Sequence, residues 1–100
     1  MTKLLSFKRS EMPDKKYQVE LLTADGRHRT IHFGDAHMKD YTLFSAQERE
    51  ARKRAYLSRH KAREDWSDPL TAGFWSRHVL WGDTPSVTEN LKITRRRYHL

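Results

Sequence analysis

The sequence predicts an α+β fold, a single small domain in which one N-terminal β-hairpin packs against about three α-helices. Two observations carry this. Between residues 16 and 33, apolar and polar residues alternate around an Asp-Gly pair, the pattern of two antiparallel strands joined by a tight turn. Beyond residue 44 the alternation stops, and two Ser-x-x-Glu pairs each precede a run with helical spacing. At 100 residues the chain has room for one core.

Residues 1–14 read as an extended or mobile arm, with the domain proper at 15–100. Leu4, Leu5 and Phe7 are its apolar anchor points, and Pro13 excludes a helix there. In the hairpin, Tyr17, Val19 and Leu21 alternate with Gln18 and Glu20. Asp25-Gly26 supplies the turn, because glycine takes the positive φ that tight turns require, and the return strand runs from Arg29 to Phe33. Residues 34–44 form a loop from which Tyr41, Leu43 and Phe44 are expected to tuck into the core.

Residues 45–64 predict a helix. Ser45 and Glu48 form a capping box, Glu48 and Glu50 lie in the first turn, and Arg59, Lys61 and Arg63 lie near the end, as the helix dipole favours. Its apolar stripe (Ala51, Ala55 and Ala62, with Tyr56 and Leu57 beside them) is thin, so at least one face should be wet. The connector 65–70 offers Ser67 or Asp68 as a cap and Pro69 as a first helical residue. Residues 70–81 predict a short buried helix with Phe74, His78 and Trp81 on one face and Trp75 and Val79 on an adjacent one, ended by Gly82 as a left-handed cap. Residues 86–98 predict the last helix, capped by Ser86 with Glu89, with Val87, Leu91, Thr94 and Tyr98 on one face. The expected core sets the inward face of the hairpin against Phe74, Trp75, Leu80, Trp81, Leu91 and part of Tyr56.

Apolar residues make up only 36% of the chain, against a typical share of about 45–50%. Lys and Arg outnumber Asp and Glu by 20 to 13, a formal net charge of +7. The excess is uneven. Residues 45–63 hold seven basic and two acidic groups, residues 64–91 one and five, and residues 92–100 four and none. The absence of cysteine excludes a disulfide framework, a thiolate metal cluster and a cysteine nucleophile. No apolar run approaches the roughly 18 residues of a membrane span, and residues 1–16 lack the apolar stretch of a secretory signal. The expectation is an intracellular protein with no membrane partner.

The basic blocks carry the functional argument. Arg52, Arg59 and Arg63 share one face of the predicted helix 45–64, and Arg49, Lys53 and His60 share a neighbouring one. Guanidinium groups repeated at helical turns can follow a phosphate backbone, and each can grip phosphate with two donors. Arg95, Arg96 and Arg97, with Lys92, form a second cluster, although three consecutive residues point around more than half the helix. The candidate nucleic-acid-binding set is therefore Arg49, Arg52, Lys53, Arg59, Arg63, Arg95, Arg96 and Arg97. The competing outcome is that these groups pair with Glu64, Asp65 and Asp68, or simply face solvent.

Metal and catalytic readings find less. His28 and His32 would sit about 13 Å apart along one strand face. No helical His pair has metal-ligand spacing, and no nucleophile, P-loop or dinucleotide motif is present. A nuclease using His60 or His78 with Asp65 or Asp68 lacks diagnostic spacing, so no enzyme activity, cofactor or metal is expected. His32 and His78 are expected in the aromatic core as neutral hydrogen-bonding groups. The run FWSRHVLW reads as core rather than as a base-stacking platform. Trp66 is the better candidate for an exposed aromatic, or else a lid over the helix junction.

The segments Lys15–Gly34, Asp40–Thr42, Tyr56–Trp66 and Asp68–Gly82, with the closing SVTENLKITRR, together resemble a family of small basic proteins of unknown function encoded mainly by large double-stranded DNA viruses and tailed phages. The resemblance spans residues 15–97 and implies a viral origin, but it carries no catalytic residues. The expected function is a non-enzymatic viral or phage protein that contacts nucleic-acid backbone through its Arg/Lys-rich helices. The alternative is a virion component, a minor capsid or cement protein docking on acidic surfaces of capsid proteins. It would act inside an infected host or in the virion.

Overall fold

The computed structural model describes residues 1–100. Three strands come first: β1 (Lys3–Arg9), β2 (Lys15–Leu22) and β3 (His28–Asp35). The helices follow: α1 (Arg49–His60), the single turn α2 (Ala72–Trp75) running on into a π-helical segment (Ser76–Leu80), and α3 (Val87–Arg97). The sheet is antiparallel in the order β1-β2-β3. The class is α+β, with a three-stranded sheet where the sequence promised two.

The third strand is the arm at residues 1–14. It is extended and paired along β2. Leu4 pairs with Leu21 and Phe7 with Val19, and both side chains pack on the core. The register shifts between Leu4 and Ser6, which leaves Leu5 as an extra residue, 47% exposed. That bulge interrupts the period of two that would have marked the strand.

The hairpin forms as expected. Val19 pairs with Ile31 and Tyr17 with Phe33, which puts Val19, Leu21, Ile31 and Phe33 on the buried face. Gly26 N–H donates to the Thr23 carbonyl at 3.0 Å, and Gly26 has φ +84°. A side chain there would be strained, which is why glycine follows Asp25.

α1 starts later than predicted. Glu48 is its N-cap and makes no side-chain cap bond. The Ser45 carbonyl, not its hydroxyl, accepts from the Glu48 and Arg49 amides at 3.1 and 3.0 Å. Ala51, Ala55 and Ala62 are exposed. The helix instead turns Arg49, Lys53, Tyr56 and His60 inward. Their spacing keeps them on one face, and the long aliphatic stems of Arg and Lys cover apolar surface that alanine would leave open.

The second predicted helix tightens to α2 and then widens. Trp81 N–H donates to the Ser76 carbonyl, a bond spanning five residues rather than four. Phe74 and His78 meet as expected, with ring centroids 4.5 Å apart. The wider turn swings Trp81 off that face and onto Tyr56, where it stacks at 4.5 Å. Gly82 is no left-handed cap, since positive φ among the glycines belongs to Gly26 and Gly34. It is glycine because a Cβ would lie 2.3 Å from the His78 carbonyl oxygen and 2.8 Å from Asn90 Cγ.

Of the expected core, Phe74, Trp75, Leu80, Trp81 and Tyr56 are buried. Leu91 is only partly covered, and Leu43 points outward at 56% exposure while Tyr41 is buried. On α3, Ser86 Oγ caps the Glu89 amide at 3.2 Å. The residues that α3 buries are Asn90 and Thr94 rather than its aliphatic ones.

Candidate nucleic-acid interface

The eight candidate cations divide by how α1 and α3 are rotated against the core. Arg49 and Lys53 face inward. Arg49 Nη2 reaches the Phe44 carbonyl at 3.4 Å, its Nε is buried without a partner, and its guanidinium lies 5.7 Å from the Tyr41 ring centre. Lys53 Nζ donates to the Gly82 carbonyl at 2.7 Å and sits 5.0 Å from the Tyr41 ring centre. Burial, with Arg77 nearby, pulls the Lys53 ammonium below its ordinary range. These two cations lock α1 to Tyr41 and to the chain at Gly82. The Tyr41 hydroxyl completes the clamp by donating to Glu50, and that bond raises the phenol above its usual value.

Arg52, Arg59 and Arg63 lie on the outer side of α1 and just beyond it, all exposed. Arg52 touches Glu48 at 3.9 Å and stands over Phe44, 5.1 Å from its ring centre. Arg59 and Arg63 make no ion pair, nor do the exposed Arg54 and Lys61 beside them. The acidic block that could have sealed them is committed elsewhere. Glu64 accepts from Trp66 Nε1 at 2.9 Å and meets His60 Nδ1 at 3.1 Å. Asp65 accepts from the Ser67 amide and hydroxyl, which lowers its pKa, and Asp68 accepts from the Leu70 amide at 2.9 Å.

At the end of α3, Lys92, Arg95 and Arg96 line a shallow depression with His99 and Leu100. Arg97 points away and pairs with Asp83 at 3.0 Å, holding that carboxyl below its usual value. A run of three arginines on a helix thus serves two surfaces. Lys92 and Arg54, which belong to the basic blocks but not to the eight candidates, are exposed as well. Nothing in a residue type says which side of a helix meets the core.

The run FWSRHVLW is core: Phe74 and Trp75 are 0% exposed and Trp81 8%. Trp66 is the lid over the helix junction. Its indole bonds Glu64, Arg77 lies 5.6 Å from its ring centre, and its carbonyl accepts from His78. His32 is not in the aromatic core. It pairs across from Gln18 on the opposite face of the sheet and bonds Ser10 Oγ at 2.8 Å. No three His, Asp or Glu side chains converge on a point that could hold a metal ion, and no helix is long and apolar enough to cross a membrane.

His78 does lie among aromatic rings. Its Nε2 is 2.8 Å from the Trp66 carbonyl, which can only accept, so Nε2 carries the hydrogen. Burial lowers its pKa and outweighs the Trp66 carbonyl bond, which favours the charged ring, and Arg77 and Arg97 push downward against Asp83. The unfolded chain therefore takes up this proton first. The His78 contribution to stability is complete above about pH 6.5, the unfolded value, and is lost as pH falls toward the folded one. The melting temperature should decline as pH drops through that window, and His78→Gln should flatten the decline. Parallel curves for parent and variant would show that His78 does not control it.

The family comparison falls on the first half of this architecture. A family model matches residues 5–60, from within β1 to the end of α1. The chain belongs to a family of unknown function (DUF5754). The DUF5754 segment takes in most of β1, which the sequence resemblance left out, and stops at His60, short of residues 61–97 that the resemblance included. It holds β2, β3 and β1 from Leu5 onward, the Tyr41 clamp and Arg49, Arg52, Lys53 and Arg59, whereas Arg63 and the α3 cluster lie beyond it. No curated protein and no solved structure matches the chain.

Proposed function

We propose that this protein binds nucleic-acid backbone, without catalysis and with little sequence preference, through the exposed cations of α1 and the end of α3. One observation carries the reading: Glu64, Asp65 and Asp68 are taken up by local hydrogen bonds, so Arg59, Arg63, Arg95 and Arg96 face solvent with no carboxylate partner. Unpaired guanidinium groups gain affinity from phosphate by releasing its condensed counterions. With Arg49 and Lys53 turned inward and Arg97 paired with Asp83, five of the eight candidate residues remain available. If all five meet phosphate, log Kd should change with log salt at a slope of about 4.5 in magnitude.

Retention of duplex and single-stranded DNA across a salt series tests this. Arg63→Ala and Arg96→Ala should each reduce the slope by about 1. Absence of any retention at low salt, about 50 mM, would overturn the reading. A viral or phage origin, drawn from the sequence resemblance, gives these cations a packaged or replicating genome as partner.

A virion role is the second reading. It is favoured by β1, an edge strand with Leu5 exposed, since such an edge can pair with a neighbouring chain. Mass spectrometry of nuclease-treated, salt-washed particles separates the two. High copy number supports a shell component, and absence from particles removes it.

A further inference from the structure

A cleft of about 320 Å³ opens between the end of the sheet, the loop 35–40, the end of α1 and α2. It is at the small end of ligand pockets, which run from about 300 to 1,000 Å³. Phe33, Tyr56, Leu80 and Trp81 give it an apolar lining. Gly34 and Gly73 line it with bare backbone. At Gly34 (φ +82°) a Cβ would come within 2.7 Å of Leu80 Cδ1.

Two further features give the cleft a chemistry. The first is a column of three stacked rings. Trp81 lies 4.5 Å from Tyr56, and Tyr56 lies 4.3 Å from His60. His60 ends the column with 38% of its side chain exposed. The second is charge. Eight of the lining groups are basic or acidic: Lys15, Lys16, Lys39, Arg59 and His60 against Asp35, Asp40 and Glu64. Lys16 and Asp40 neutralise each other at 2.6 Å, and Glu64 is engaged by His60 and Trp66. Asp35 is exposed and accepts from the His37 amide at 2.8 Å. Lys15, Lys39 and Arg59 have no carboxylate within ion-pairing distance.

We propose that this cleft binds a single nucleotide, its phosphate held by Lys15, Lys39 and Arg59 and its base resting on the end of the aromatic column at His60. Three cations fit the charge of a phosphate monoester, and an exposed imidazole stacked on two further rings is a platform any base can use. The volume admits one nucleotide rather than a strand. The source of that nucleotide is either a free mononucleotide or the phosphorylated end of a strand, two forms of one chemistry. The site shares Arg59 with the proposed backbone surface but does not need Arg63 or the α3 cluster.

The test is amide NMR of the full chain titrated with AMP, with UMP, with a 5′-phosphorylated trinucleotide and with inorganic phosphate. Nucleotides of either base should shift residues 15–16, 33–40, 59–60 and 72–73, with a Kd of about 1 mM or below. Lys39→Ala combined with Arg59→Ala should weaken AMP at least about tenfold, while Arg29→Ala, on the far end of β3, should not. Both altered side chains are exposed, so a cooperative melt is expected to survive, and the same spectra report it. Tighter binding of the trinucleotide than of AMP identifies a strand end, and the reverse identifies a free nucleotide. The proposal is overturned by an absence of shifts in the cleft, by an undiminished response in the double variant, or by inorganic phosphate binding as well as AMP. Cleft shifts without duplex retention would remove only the backbone reading, and duplex retention without cleft shifts would remove only this one.

Discussion

Trp75→Ala should cost about 3–5 kcal/mol, a large part of the roughly 5–15 kcal/mol that holds a domain together. The side chain is completely buried. Its ring lies 6.3 Å from Phe33 on the sheet and 5.1 Å edge-on from Phe74, and its Nε1 donates to the Pro69 carbonyl at 2.8 Å. It joins the sheet, α2 and the connector in one contact set. Truncation opens a cavity that none of these elements can fill alone, and it strands the Pro69 carbonyl. Trp75→Phe keeps a ring but loses that bond, so it should fall between parent and alanine. Urea unfolding followed by circular dichroism reads the difference. A Trp75→Ala midpoint within about 1 kcal/mol of the parent would show that the sheet and helices cohere without this ring.

Local chemistry was legible in the sequence. The Asp25-Gly26 turn needs one residue at positive φ, and glycine announces it. Ser86 caps the Glu89 amide because both partners lie within one turn. What escaped depends on rotation or register. A single bulge at Leu5 hid β1 by breaking the alternation. The faces of α1 were grouped correctly, with Arg49, Lys53 and His60 apart from Arg52, Arg59 and Arg63, but the alanines suggested the wrong inward side. Tyr56 decides it: once its ring stacks on Trp81, Arg49 and Lys53 must follow it inside, where Tyr41 and the Gly82 carbonyl receive them. The π-helical turn has the same character. Its extra residue is invisible in a helical wheel, yet it decides that Trp81 joins α1 and not His78.

The candidate site was half legible for that reason. Charge runs identify where cations are dense, and the tail and α1 are where they are found. Which of them reach solvent depends on where the acids go. Glu64, Asp65 and Asp68 were natural partners for the arginines by position alone. They are instead consumed within a few residues by Trp66, Ser67 and Leu70, because a neighbouring amide or indole costs less chain entropy to recruit than a long, mobile guanidinium does.

Asn90→Ala should be the second most damaging change, at about 3 kcal/mol. Asn90 is 1% exposed and sits on the first turns of α3. Its Nδ2 donates to the Val79 carbonyl at 2.9 Å and the Thr84 carbonyl at 2.8 Å. Its Oδ1 accepts from the Thr84 amide at 2.9 Å and the Thr84 hydroxyl at 2.8 Å. One amide thus satisfies both ends of the chain reversal between the π-helical segment and α3, and Gly82 leaves the space for it. Removing it strands the buried Val79 carbonyl outright, and each polar group left unpaired in the interior costs about 1–3 kcal/mol. The Thr84 groups, partly exposed, can recover water. Asn90→Asp separates hydrogen bonding from packing. It has nearly the same shape but turns an acceptor toward two carbonyls, so at neutral pH it should be at least as damaging as alanine. In acid, a protonated carboxyl regains one donor and part of the loss should return. An Asn90→Asp protein as stable as the parent at pH 7 would mean that shape, not the paired amide, holds α3 against the core.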